Sequence, residues 1–130
     1  MYKKGFSIIE LIIVIVVLGI LAVAILYRFG SITSDASATV AVDQVIADIQ
    51  YVQILAMSQS AQKSISFTAG SDSYNVAGEI KKIPGGLTAE NTITFTFNSL
   101  GEPTTGGSQT LIIGNKQIKV WAITGKAEGL

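Results

Sequence analysis

Residues 6–28 read FSIIELIIVIVVLGILAVAILYR, and this stretch decides the fold. Between Glu10 and Tyr27 the run contains no other charge and is dominated by Ile, Val and Leu. As a helix, Phe6 to Tyr27 would be roughly 33 Å long at about 1.5 Å per residue. That length crosses a hydrocarbon core of about 30 Å, where a spanning segment must pair its own backbone groups. The stretch therefore predicts a membrane-spanning helix over residues 6–28.

Glu10 is the informative residue in this run. A carboxylate inside a spanning helix costs about 2.5 kcal/mol or more, so it should have a partner. No basic residue lies within one helical turn of it. A chain cut after Gly5 would carry a positive amine at Phe6, and the same amine on a neighbouring copy could reach Glu10. Because an unpaired buried charge is strongly destabilising, each group would favour the arrangement that pairs it.

Two other interpretations account for the apolar run. A secretory signal peptide has a basic start, an apolar stretch of about 7–15 residues and a small-residue cleavage site. Here a cut after Ala22 or Ala24 is conceivable. An uncleaved anchor explains the length, with Lys3 and Lys4 kept on the cytoplasmic side. Both interpretations leave Glu10 unexplained.

The N-terminal block resembles the prepilin motif of the type IV pilin superfamily, position by position over about the first 30 residues. It has a basic leader at Lys3 and Lys4, then Gly5 and Phe6, with Glu10 as the fifth residue of the mature chain. The resemblance implies cleavage between Gly5 and Phe6 by a prepilin peptidase and N-methylation of Phe6. It also implies a contact between Glu10 and the Phe6 amine of an adjacent subunit.

The same resemblance implies partners and a location. The partners would be other pilin subunits, the prepilin peptidase and methyltransferase, the inner membrane and an assembly platform. The chain would span the inner membrane once before assembly and lie in a periplasmic or extracellular filament afterwards.

The region after the apolar run departs from the family pattern. Many pilins carry a helix-breaking proline where this chain has Tyr27, and the first proline here is Pro84. We therefore expect a straighter helix. From Gly30 to Ala38 the chain is small and polar apart from Ile32. This segment is either a brief break or a continuation of the helix, with Asp35 as a candidate N-cap for a second helix.

Apolar residues at helical spacing predict an amphipathic helix over about residues 36–62. The apolar stripe comprises Val42, Val45, Ile46, Ile49, Val52 and Ala56. The polar surface of this helix is predicted to carry Asp43, Gln44, Asp48 and Gln50. Off the stripe, three further residues could touch neighbouring subunits: Tyr51, Ile54 and Leu55.

Alternating apolar residues from about 63 to 124 predict a small antiparallel sheet of about five or six short strands. The clearest strand is Thr92–Phe97, and a hairpin is expected around Gly114–Lys116. Asn98–Gly107 is expected to be a loop, and the tail Thr124–Leu130 is expected to fray.

The predicted fold is therefore α+β and pilin-like. A long N-terminal hydrophobic helix continues into the amphipathic helix, which packs on the sheet. The predicted divisions are a leader at 1–5, a membrane or filament-core helix at 6–28, and a globular domain at 29–130.

The globular part looks like the H-type minor pseudopilins of type II secretion and related minor pilins. The resemblance lies in Asp48–Met57 followed by Ile65–Phe67, in Ile93–Phe95 followed by Leu100–Pro103, and in the closing Thr124-Gly125. It implies a minor subunit of a mannose-sensitive-haemagglutinin-like pilus or a secretion pseudopilus. A main subunit of such a filament is the alternative.

Composition disfavours enzymes and general nucleic-acid binding. The 130 residues include no His and no Cys, which removes the commonest general base and metal ligand. We expect no catalytic residues, cofactor or metal, although spacing alone permits a pair of Ser58 with Lys63. After Gly30 the chain contains eight acidic residues and six lysines. The net charge of this part is therefore negative and gives no support for nucleic-acid binding.

A filament-borne adhesin or DNA-binding tip is the remaining alternative. A basic patch near Trp121 would be its signature, formed by Lys81, Lys82, Lys116 and Lys119. The simpler interpretation is that these lysines lie on solvated strand edges.

Overall fold

A computed structural model describes the backbone of residues 4–130 and the side chains of that range other than those of 29–34. The chain divides into two compact units, Met1–Asp35 and Ala36–Leu130. Lys3, one of the two predicted leader charges, lies outside the described residues.

One helix, α1, runs from Ile8 to Ser58. The small polar segment that starts at Gly30 therefore continues the helix and does not break it. The expectation that Asp35 caps a second helix is wrong, because this residue lies inside α1. The segment contains no proline, so each of its backbone N–H groups can donate within the helix.

Eight short strands follow the helix. They are β1 (Lys63–Phe67), β2 (Ser73–Val76), β3 (Glu79–Lys82), β4 (Ile93–Phe97), β5 (Pro103–Thr105), β6 (Thr110–Ile113), β7 (Lys116–Val120) and β8 (Ala127–Gly129). A short 3-10 turn, Pro84–Gly86, follows β3. The expected α+β class with an antiparallel sheet is confirmed.

The strands form two sheets, whereas the sequence predicted one. The first has five strands in the order β3-β2-β1-β4-β5, and the second has three in the order β6-β7-β8. Within the first sheet, β1 pairs along its length with β4, Lys63 opposite Phe97 and Phe67 opposite Ile93. The expected hairpin at Gly114 is confirmed, with β6 and β7 joined by Gly114-Asn115.

Two segments predicted to be irregular contain strands. The Asn98–Gly107 loop includes β5, which pairs with β4 at the edge of the first sheet. The tail predicted to fray includes β8, which pairs with β7 and places Ala127 opposite Val120. Ala127 is buried, so core packing holds a tail whose polar composition suggested disorder.

The core of the second unit lies between α1 and the inward faces of the strands. The predicted stripe of α1 is confirmed, with Val45, Ile49 and Val52 completely buried and Ile46 partly buried against the cluster. In β4 buried residues alternate with partly exposed ones, as a sheet with one covered face requires. Phe67 stacks on Tyr74 with ring centroids 5.0 Å apart.

Candidate functional site

The N-terminal segment is non-helical from Lys4 to Ser7, and α1 begins at Ile8. Ser7 caps the helix. Its hydroxyl oxygen accepts a hydrogen bond from the Glu10 N–H at 3.3 Å, and its carbonyl accepts one from Leu11 N–H at 3.1 Å. This is the N-cap arrangement, in which a side-chain oxygen satisfies a backbone donor that has no partner within the helix.

Four of the predicted site residues are neighbours in the structure. Gly5, Phe6 and Glu10 line one open surface depression together with Lys4. The Phe6 side chain is 80% exposed within the chain. Glu10 occupies the first turn of α1, where the positive end of the helix dipole stabilises a negative charge.

The capping role of Ser7 was not predicted from the sequence. Its signal was present, because Ser-x-x-Glu ahead of an apolar run is the pattern of a capping box. Here Ser7 stands at the N-cap and Glu10 three residues later. Glu10 is therefore part of the helix start as well as a charge within the apolar run.

The apolar surface of α1 is uncovered near its N-terminus. Ile8–Arg28 has a mean hydropathy of 3.3, and none of that segment is buried within the chain. Asp35–Ser58 is also long and apolar enough to span, with a mean hydropathy of 1.3, but its apolar stripe packs in the core. The first segment is therefore the candidate anchor.

A buried polar cluster joins α1 to the first sheet. Asp48, assigned to the polar surface from the sequence, is in fact buried. Its carboxylate accepts hydrogen bonds from Tyr74 Oη at 2.5 Å and from Lys81 Nζ at 2.9 Å. Gln44 Nε2 also donates to Tyr74 Oη, at 3.1 Å.

These contacts shift the pKa values of two groups. Burial, together with the hydrogen bond to Asp48, raises the pKa of Tyr74 well above its ordinary value. The hydrogen bond to Asp48 raises the pKa of Lys81. Both shifts favour the protonated forms that hold the cluster together.

The four lysines of the suggested basic patch are divided between the two sheets. Lys81 is bound to Asp48, and Lys82 lies 3.6 Å from Asp72 on the surface of the first sheet. Their neighbours are therefore acids. Lys116 and Lys119 belong to β7 of the second sheet.

Trp121 lies just beyond the end of β7. The Lys119 ammonium lies 4.2 Å from the centroid of its ring, a cation–π distance. The Trp121 indole N–H donates to the Glu128 carboxylate at 3.1 Å. Lys119 therefore lies beside Trp121, and the Glu128 carboxylate also contacts that ring system.

Acidic side chains do not converge anywhere in the part of the chain that the structure describes. Across those residues, no group of three or more Asp or Glu side chains lies close enough to hold a metal ion. Ser58, considered as half of a Ser–Lys pair, donates its hydroxyl to the Leu55 carbonyl at 3.1 Å.

The family model described as the prokaryotic N-terminal methylation motif matches residues 1–26. No curated protein and no solved structure matches the chain. The match covers the depression around Gly5 and Phe6, the cap at Ser7 and most of the uncovered apolar segment.

Proposed function

We propose that this chain is a type IV pilin-like structural subunit, cut between Gly5 and Phe6 by a prepilin peptidase and methylated at Phe6. The observation that carries the proposal is the N-terminal methylation motif at residues 1–26. The motif supports the pilin or pseudopilin class, and the α+β fold agrees with it. Association with other pilin subunits follows from the same motif.

The uncovered apolar segment supports the anchoring step. A surface of Ile, Val and Leu as extensive as that of Ile8–Arg28 is stable only where apolar material covers it, at about 25 cal/mol per Å² removed from water. The inner membrane would supply this cover before assembly. In a filament, the same segments of neighbouring subunits would take over.

Glu10 supports the assembly step. In an apolar environment its carboxylate needs a positive partner, and cleavage after Gly5 creates one in the Phe6 α-amine. We assign Glu10 to a contact with the Phe6 amine of an adjacent subunit. Lys3 and Lys4 would hold the leader on the cytoplasmic side.

Within this class we favour a minor subunit of a pilus or of a type II secretion pseudopilus, with a main subunit as the alternative. Three of the stretches that resemble H-type minor pseudopilins are joined through one side chain, that of Gln53. Gln53 Nε2 donates to the Gly101 carbonyl at 2.7 Å and to the Thr124 carbonyl at 2.9 Å. An adhesive or DNA-binding role has less support, because Lys81 and Lys82 already have acidic neighbours.

Intact mass and N-terminal sequencing test the proposal. The full chain is expressed with and without a prepilin peptidase. We expect a mature chain that starts at N-methylated Phe6, and only when the peptidase is present. An uncut Met1, or a cut near Ala22–Ala24, would overturn the proposal.

A pair of glycine variants sharpens this test. Gly5→Leu places a large side chain beside the cut and should abolish cleavage there. Gly19→Ala is the matched control, because Gly19 lies within α1 with open space around it. The control should be processed like the wild type.

A further inference from the structure

The start of α1 is fixed two residues after the bond assigned to cleavage. Ser7 provides two contacts at that start, from its hydroxyl to the Glu10 N–H and from its carbonyl to the Leu11 N–H. Gly5 and Phe6 lie outside the helix and are exposed. The Gly5 carbonyl consequently precedes the first carbonyl of the helical hydrogen-bond series.

A second helix start is available to this sequence. Glycine is an acceptable N-cap, whereas Phe6 is a poor one. If Gly5 became the N-cap, its carbonyl would accept a hydrogen bond from the Ile9 N–H, four residues on. The bond assigned to cleavage would then lie in the first turn of a helix. A peptidase could then cut only the fraction of chains in which that turn is open, because the rate of cleavage depends on the population of the open form.

We propose that Ser7 is a positioning residue for the cleavage between Gly5 and Phe6. Its side chain holds the helix start at Ile8, and this keeps the Gly5–Phe6 peptide outside the helix and its carbonyl free for attack. Hydrolysis of that bond consumes one water, which leaves Gly5 with a carboxylate and Phe6 with a protonated α-amine. This role rests on the proposed processing, and it explains why the Gly5–Phe6 bond is accessible to the peptidase.

The first test measures kcat and KM for the full chain in detergent micelles with purified prepilin peptidase. Ser7→Ala should raise KM roughly five-fold, the effect expected for loss of an N-cap. It should leave kcat unchanged, because only the competent fraction of the substrate falls. Ser7→Thr and Ser7→Asn keep a capping oxygen and should restore KM to near the wild-type value.

A double variant separates the helix start from a direct contact between the hydroxyl and the peptidase. In a Ser7→Ala chain, Ile8→Pro puts proline at the first helical position, where no N–H is needed. The proline also disfavours helical geometry at residue 7. The double variant should therefore recover the wild-type KM without any hydroxyl.

Hydrogen exchange provides a readout that does not depend on cleavage. In Ser7→Ala the Ile9 amide should become protected, because it would then bond the Gly5 carbonyl. In the double variant this protection should disappear.

Three outcomes would overturn the inference. They are an unchanged KM in Ser7→Ala, a fall in kcat alone, or a double variant that stays as poor as Ser7→Ala. Failure of the proposed function gives a different result, since the wild-type chain itself would then remain uncut by the peptidase.

Discussion

At the scale of single residues, α1 ends through a serine in an unusual conformation. Ser60 has φ 48°, in the left-handed region that glycine prefers. The Ala61 N–H reaches the Ala56 carbonyl at 3.1 Å, and the Ser60 N–H reaches the Met57 carbonyl at 3.3 Å. This pair of bonds is a Schellman motif with Ser60 at the position where glycine is usual.

Ser60→Gly should therefore stabilise the second unit, by about 1 kcal/mol, because glycine relieves the left-handed strain. Urea unfolding of the full chain in detergent, followed by Trp121 fluorescence, measures the effect. Ser58→Gly is the matched control, since Ser58 lies in the last turn of α1. The control should lose about 0.5 kcal/mol, the difference in helix propensity between Ser and Gly. Equal effects of the two variants would contradict this explanation.

Gly125 combines a left-handed backbone with close neighbours. Its φ is 66°, and an added Cβ would lie 2.8 Å from Gln53 Nε2 and 2.9 Å from the Gly101 carbonyl oxygen. Gly70 has a similar φ of 78° with open space around it. Gly125→Ala should destabilise the chain by about 2 kcal/mol more than Gly70→Ala, through overpacking. Thermal unfolding of both variants measures the difference, and similar melting temperatures would exclude crowding at Gly125.

At the scale of elements, the buried cluster at Asp48 ties α1 to β2 and β3. The sequence placed Asp48 on the polar surface because its side chain is charged. Yet it lies three residues after Val45 and four before Val52, on the buried side of the helix. Its partners Tyr74 and Lys81 are distant in sequence, and no local pattern connects them with Asp48. The stripe itself was predictable because helical periodicity is a local property.

Tyr74→Phe removes the hydroxyl that donates to Asp48 and should destabilise the chain by about 1–3 kcal/mol at neutral pH. Burial raises the pKa of Tyr74 in the folded state. The hydroxyl's contribution is therefore fully present below the ordinary tyrosine pKa of about 10 and declines as the pH rises above it. Urea unfolding at pH 7 and at about pH 10.5 should show a smaller difference between wild type and variant at the higher pH.

Lys81 provides the control for that pH dependence. The hydrogen bond to Asp48 raises its pKa, so its contribution is also lost as the pH rises, and it persists in Tyr74→Phe. The variant should therefore keep part of the alkaline destabilisation. A difference between wild type and variant that grows above pH 10 would contradict the assignment to the neutral Tyr74 hydroxyl.

At the scale of the whole molecule, the two units present different surfaces. The first presents an uncovered apolar surface over Ile8–Arg28, whereas the second has its own closed core.

Leu18→Lys puts a charge in the middle of the apolar segment, at an expected cost of about 2.5–3.5 kcal/mol for insertion into a membrane. The variant should be depleted from carbonate-washed membranes. Ile123→Lys, at a side chain 80% exposed in the second unit, should remain. Equal recovery of both would argue against anchoring through the first unit.

The sequence predicted most of the features that depend on local pattern. The apolar run, the amphipathic stripe, the β4 alternation and the turn at Gly114 are all local signals, and the structure contains each. The division into two sheets was not predictable, because it depends on which distant strands pair. The β8 strand was missed for a related reason. The tail that contains it is mostly polar, and only its pairing with β7 makes this segment a strand. At the N-terminus, residue types identified Gly5, Phe6 and Glu10, whereas the hydrogen bond at Ser7 needed coordinates.

The strand order β3-β2-β1-β4-β5 has a consequence for folding kinetics. The β2–β3 and β6–β7 hairpins close through two-residue turns, and hairpins form within microseconds. β1 can pair with β4 only when the loop between Phe67 and Ile93 has closed. The conformational entropy lost in this closure grows with loop length. A β2–β3 hairpin formed beforehand shortens the free chain. We expect the β1–β4 closure to be slower than the formation of either hairpin, and until it occurs both strands expose unpaired edges to other unfolded chains.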